Sequence, residues 1–292
     1  MPVSKGQLFS WLLSIAGHLP FKIVRGLGRG SGLLSWFIPN RSKRTTLANI
    51  ALCMPELSVA EQRRMARQSL QHTGMLVFEM AFIWCRPEEF LSNYLVDVIN
   101  KDAFDRAQTS DRGVILLMPH QGNWEVFSEY LPTVCNIRAL YEPVRIPELE
   151  RHIKHHREKS GAQMFPTNQR GIATLLKHLR GGGVTGILPD QVPSLGRGRL
   201  PAPFFGELAL TMTLVHQLTQ KTNCMVLAIA AKRVENGFVI KFYSPPQEIY
   251  SSDAFIALSA MNTLIEKCVR EAPEQYQWEY KRYKGMEDYA GR

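Results

Sequence analysis

The stretch Gly113-Val-Ile-Leu-Leu-Met-Pro119-His120-Gln121-Gly122-Asn123-Trp124-Glu125 constrains the fold more than any other. Val114 to Met118 is an unbroken apolar run with β-branched members. That is the pattern of a strand buried on both faces, as in parallel sheets covered by helices. Pro119 has no N–H with which to extend the ladder, so the strand stops there. His120 therefore falls just past the carboxyl end of a buried strand, where open α/β sheets form their ligand crevices. Gly122 and Asn123 suit a tight turn and a helix start, which puts Glu125 in the first helical turn. From there its carboxylate can return toward the imidazole and fix the tautomer, leaving His120 as a general base for a substrate hydroxyl. The same spacing also fits a capping His beside a helix-start Glu, with no chemistry attached.

A second block repeats the pattern. Val184 to Leu188 reads as a short buried strand, Pro189 ends it, and Asp190 and Gln191 follow. Two strands presenting His120 and Asp190 at one edge build a single crevice. The loop Gly196-Arg197-Gly198-Arg199 offers backbone N–H groups and guanidinium forks to an anion. It is no nucleotide fingerprint, because no Gly-x-Gly-x-x-Gly opens a helix there. Taken alone, it also reads as a plain surface connection.

Around these blocks the spacing predicts alternating helices and strands. Strands are expected at Tyr94–Ile99 and Ile137–Tyr141, and a hairpin of Met225–Ala230 with Phe238–Phe242 turning at Asn236-Gly237. Helices are expected at 49–89, interrupted at Pro55–Ser58 with a Ser58/Glu61 capping box, then at 102–110, 147–161, 171–179, 211–221 and 254–271. In the helix expected at 147–161, His152 and His156 stand at i and i+4. No acid or cysteine completes a metal set and the neighbours are cationic, so a solvated basic face is expected. The five cysteines are scattered singly in apolar contexts, which reads as reduced and intracellular.

Charge separates the ends. The net charge is +9, and no acid precedes Glu56, whereas Lys5, Lys22, Arg25, Arg29, Arg41, Lys43 and Arg44 all do. A helix over Gln7–Leu19, ended by Pro20, and a second apolar stretch over 26–38 both fall short of the roughly 20 apolar residues needed to cross a bilayer. With Trp11, Trp36 and the basic flanks, residues 1–40 read as a hydrophobic, basic anchor lying on an anionic membrane surface. Residues 41–292 then form the main domain. The segment Pro273–Lys284, aromatic and basic together, either ties the carboxyl-terminal end onto the domain or stacks on nucleic acid bases.

His120-Gln-Gly-Asn-Trp-Glu125, Leu188-Pro-Asp-Gln191, Pro203-Phe-Phe-Gly206 and Pro273-Glu-Gln-Tyr-Gln-Trp278 occur in that order. Together they resemble the lipid A biosynthesis acyltransferases, the late lauroyl/myristoyl transferases of the lysophospholipid acyltransferase superfamily. The resemblance runs nearly the whole length. It implies a single α/β domain with a central mixed sheet flanked by helices, plus an amino-terminal membrane-anchoring helix. The implied reaction is acyl transfer from acyl carrier protein to a hydroxyl of a phosphorylated, glucosamine-based lipid at the cytoplasmic face of the inner membrane, without metal, cofactor or nucleic acid. By match to these blocks, His120 takes the hydroxyl proton and Glu125 holds the ring. Arg157 steadies anionic charge, Asp190 orders the crevice floor beside Gln191, and Asn123 is a polar partner of the reacting groups. Arg197 and Arg199 belong to the anion-holding loop. No Ser or Cys is placed to form an acyl-enzyme, so direct transfer is expected. Gln121 stands where an aromatic is expected, Glu142-Pro143 where Arg-Pro is common, and Tyr280 where a basic residue or histidine is usual. These departures bear on acceptor and chain length. Other classes stay open: a coenzyme A-dependent transferase on another lysolipid, a hydrolase using the same pair, and a non-catalytic membrane or nucleic-acid binder.

Overall fold

Val114 and Leu116 pack into one apolar cluster and Ile115 and Leu117 into another, and none of the four is exposed. The strand they form is thus covered on both faces, as its composition requires. The computed structural model describes residues 14–144, 146–192 and 198–284. In chain order its helices are α1 (Phe21–Phe37), α2 (Arg41–Cys53), α3 (Val59–Cys85), α4 (Pro87–Tyr94), α5 (Lys101–Gln108), α6 (Val126–Val134), α7 (Pro147–Lys159), α8 (Gln169–Arg180), α9 (Leu214–Thr222) and α10 (Ala254–Arg270). The strands are β1 (Leu95–Ile99), β2 (Val114–Leu117), β3 (Ile137–Tyr141), β4 (Gln163–Pro166), β5 (Val184–Ile187), β6 (Arg199–Phe204), β7 (Glu207–Met212), β8 (Met225–Val234) and β9 (Gly237–Tyr243).

Seven strands form one sheet in the order β1-β9-β8-β2-β5-β3-β4, parallel throughout except where β8 meets β9. The expected α/β mixed sheet flanked by helices is therefore what the chain builds. The β8–β9 turn sits one residue earlier than expected, on Glu235 and Asn236, because Gly237 already begins β9. Its φ of +154° and the Tyr94 carbonyl, only 2.0 Å from where a Cβ would stand, suit glycine alone.

One expected element is corrected. Thr211 and Met212 belong to β7, not to a helix over 211–221, and α9 starts at Leu214. β6 and β7 form a separate two-stranded ribbon. Pro201 and Pro203 disguised β6, since prolines sit comfortably only on strands with an open edge. Phe205 and Gly206, with φ of 51° and 83°, make its tight turn.

At the amino-terminal end, residues 1–13 lie outside the described residues, and with them Trp11 and the first half of the helix expected over Gln7–Leu19. Among the described helices none is long and apolar enough to cross a membrane, so a spanning anchor finds no support there. α1 lies on α3 through Gly28, Gly32 and Gly74, where an added Cβ would meet facing backbone at 2.1–2.5 Å. Small residues let the two backbones touch. Arg25, expected on a membrane-facing basic surface, instead points inward to a buried carboxylate.

Candidate active site

Pro119 ends β2 as expected, and the chain then turns under β8. Gly122 adopts φ +61° and pairs with Ala231, and the Asn123 N–H donates to the Ala231 carbonyl at 3.1 Å. A Cβ on Gly122 would stand 1.8 Å from that carbonyl oxygen. Gly122→Ala is therefore expected to cost about 2–5 kcal/mol, combining a strained left-handed backbone with overpacking. A thermal melt of the variant coinciding with that of the parent protein would refute this account of the turn.

The turn delivers His120 to Asp190. Asp190 Oδ1 lies 2.7 Å from the imidazole Nδ1, and Oδ2 accepts the His120 backbone N–H at 2.9 Å. One carboxylate thus fixes both the ring and its backbone. β2 and β5 are adjacent in the sheet, which puts residues 120 and 190 side by side at their carboxyl ends. Burial pushes the Asp190 carboxyl up, but the facing imidazole and its hydrogen bonds outweigh that and bring the pKa below the usual value. Tyr276, fully buried against Asp190, has its phenol held well above the ordinary range by burial and by that carboxylate. Trp124 sets its ring edge-on to the imidazole at 4.8 Å between centroids. The His120 side chain remains 14% exposed, so the far ring nitrogen has a route to a ligand.

The expected role of Glu125 is corrected. The hydrogen bond to the imidazole comes from Asp190. Glu125 Oε1 instead meets Arg157 Nη2 at 2.5 Å, while Oε2 takes bonds from Arg157 Nε and the Trp84 indole N–H, each at 3.2 Å. Burial works against the Arg157 charge, but the carboxylate more than compensates and raises the guanidinium pKa. Sequence proximity misled here, because Glu125 sits just before α6 rather than in its first turn, and its side chain crosses to α7. The basic face expected on α7 is only half solvated. His156 stacks flat on Trp84 at 5.2 Å, His152 meets the His156 ring edge-on at 4.4 Å, and burial lowers the His156 pKa to about 4. Among the described residues no trio of His, Cys, Asp and Glu has metal-holding geometry.

Asn123 is wholly buried and engaged at both ends: Oδ1 accepts the Glu125 N–H and Nδ2 donates to Glu79 Oε2 at 3.2 Å. It builds the turn rather than facing reacting groups. Glu79, fully buried on α3, also takes Arg25 Nε at 2.8 Å and Arg233 Nε at 2.7 Å. Arg25 further ties down the carbonyls of Val234, Glu235 and Gly237. Residues 275–280 form a strap over the crevice floor. Gln277 donates its N–H to the His120 carbonyl and pairs by side chain with Gln191, and the Tyr280 hydroxyl accepts the Val192 N–H. Tyr276, Trp278 and Tyr283 are buried, so this aromatic segment serves the core rather than bases. Of the two candidate loop arginines, Arg199 opens β6, and Arg197 lies outside the described residues. Glu79, Arg25, Arg233, Trp84 and the strap escaped the sequence reading as site components; only the Pro273–Trp278 block had signalled that its segment mattered.

A family model described as bacterial lipid A biosynthesis acyltransferase matches residues 7–285. The chain is 28% identical to a lipid A biosynthesis palmitoleoyltransferase of Escherichia coli (strain K12), over 96% of this chain and 89% of the relative. It is 26% identical to a lipid A biosynthesis lauroyltransferase of the same strain, over 94% and 91%. Against a lipid A biosynthesis myristoyltransferase of that strain the identity is 23%, over 88% and 78%.

Proposed function

From the premise that the chain belongs to the bacterial lipid A biosynthesis acyltransferase family, we propose that it moves a lauroyl- or myristoyl-length chain from acyl carrier protein to a hydroxyl of a phosphorylated lipid A precursor. It is an acyltransferase of lipid A biosynthesis, and its acceptor is of the lipid A type. The observation that carries the finer reading is the Asp190 carboxylate gripping both His120 Nδ1 and the His120 backbone. With Nδ1 held, Nε2 takes the proton of the acceptor hydroxyl as its oxygen attacks the thioester carbonyl carbon. The tetrahedral intermediate collapses with cleavage of the C–S bond, and His120 returns the proton to the departing thiolate. Arg157, positioned by Glu125, supplies fixed positive charge for an acceptor phosphate or the developing oxyanion. Direct transfer is favoured over an acyl-enzyme, because the five cysteines are free and burial raises every one of their pKa values, to about 12 at Cys53 and Cys135.

The donor is tested by salt and by charge reversal. Arg151 is exposed on α7 and the whole chain is basic, which suits an acidic carrier steered from a distance. Raising ionic strength is expected to cut the rate at limiting carrier-bound donor about tenfold, with less effect at saturation. Arg151→Glu is expected to weaken use of that donor and to leave the coenzyme A thioester little changed. Equal efficiency with both donors, at low salt and in both proteins, overturns the carrier assignment.

Membrane contact is proposed for the outer face of α1. Ile23, Leu27, Leu34 and Phe37 are 50%, 47%, 61% and 71% exposed and share one side of the helix. Deleting α1 is a poor test, since Phe21, Val24 and Arg25 are bound into the fold. The double variant Leu27→Glu/Leu34→Glu is expected to cosediment with anionic vesicles at least about tenfold less, given the apolar area it removes. Unchanged sedimentation places the contact elsewhere.

A further inference from the structure

Beside His120 lies a second carboxyl that the mechanism above does not use. Glu279 is in the turn 277–280, the part of the strap whose Gln277 N–H is bonded to the His120 carbonyl at 2.9 Å. Its Oε1 is fixed by the Thr73 hydroxyl of α3 at 3.0 Å. Its Oε2 is shielded from solvent and has no hydrogen-bond partner. Buried polar atoms are nearly always partnered, and an exception points to a missing water, an ion or a functional contact. The position favours the last. The strap is tied to α2 and α3 by Asn49 and Ser69 as well as Thr73, so the carboxyl is held rather than loosely placed.

We propose that Glu279 is a substrate-binding residue whose free Oε2 takes a hydrogen bond from a hydroxyl of the acceptor sugar, setting the acceptor against His120. This rests on the acyl-transfer reading. Charge in the site agrees with it. Burial raises the Glu279 carboxyl above the ordinary range, against the pull of its own backbone, Thr73, Gln277 and the His120 ring. Whatever its charge, Oε2 accepts a hydrogen bond from a hydroxyl donor. A sugar hydroxyl matches it, whereas a phosphate matches the Arg157 side of the crevice.

The test is steady-state kinetics with lauroyl-acyl carrier protein and a phosphorylated glucosamine lipid A precursor in detergent micelles. Glu279→Leu is expected to raise the acceptor KM about tenfold, as loss of one site-to-hydroxyl bond does, with the donor KM unchanged. Glu279→Gln, which keeps a carbonyl at the same place, is expected to restore most of the affinity. An acceptor KM unmoved by Glu279→Leu, with the parent protein active, overturns the assignment and leaves an ordered water as the partner of Oε2. If Glu279→Leu does not fold, Thr73→Val decides: it unfastens Oε1, and an acceptor KM that rises supports the proposal while one that does not overturns it. A parent protein that acylates no hydroxyl lipid with either donor overturns the acyl-transfer reading itself, an outcome distinct from the others.

Discussion

His120→Ala is expected to lower turnover by about 10²–10⁴-fold, the contribution typical of a positioned general base, while the fold persists. Persistence follows from the burial pattern: the ring sits at the crevice floor, partly exposed, and the cores on both sheet faces are filled by other residues. Asp190→Asn separates this mechanism from a simpler one. The amide keeps the shape but presents its carbonyl or its NH₂ to Nδ1 according to how it turns, and it loses the charge that favours the imidazolium. Asp190→Asn is therefore expected to fall nearly as far as His120→Ala, and the double variant no further than the worse single one. Additive losses in the double variant would show that the two side chains act separately. Near-normal turnover in a folded His120→Ala protein would remove the base from the mechanism altogether.

The second large effect is on stability. Glu79 is the single carboxylate between Arg25 and Arg233, with none of its side chain exposed and their side chains exposed by 14% and 3%. Removing it leaves two guanidinium groups facing each other out of water. Breaking a buried pair in this way costs about 3–5 kcal/mol, or a melting temperature lower by roughly 10 °C in a domain of this size. The pair Asp102–Arg106 makes a useful contrast, with side chains 67% and 72% exposed. Asp102→Ala is expected to change stability by less than about 1 kcal/mol, because solvent already screens that attraction. Thermal melts of both variants side by side decide the matter. Should Glu79→Ala melt no lower than Asp102→Ala, the network is not what holds α1, α3 and β8 together.

How far the sequence reveals this site depends on how local each part is. The β2 strand, its end at Pro119 and the turn at Gly122 come from consecutive residues, and they read correctly from spacing alone. So does the Ser58/Glu61 capping box, which the structure forms in full. The partner of His120 did not read correctly. Glu125 is five residues away and Asp190 is 70, but the sheet order places β5 directly against β2 while β3 and β4, between them in the chain, lie farther out. Strand order is a tertiary property, and no periodicity reports it. Arg25 failed for a related reason. A cation in an acid-free segment looks like surface charge until α3 supplies the carboxylate 54 residues later. The β6–β7 ribbon was hidden by prolines whose tolerance depends on an open strand edge, again something only the assembled fold can provide.

The strap gives the site an order of completion. Domains form from their amino-terminal parts onward as the ribosome delivers them, and β2, the Gly122 turn, Asp190 and the whole seven-stranded sheet are all synthesised before Gln275. Until residues 276–280 emerge, the His120 carbonyl lacks the Gln277 N–H, Val192 lacks the Tyr280 hydroxyl, and Asp190 lacks the phenol of Tyr276. A chain stopped before Gln275 would thus carry every residue of the proton-transfer pair with its floor unfinished. Such a chain is therefore expected to be inactive until residues 276–280 are in place.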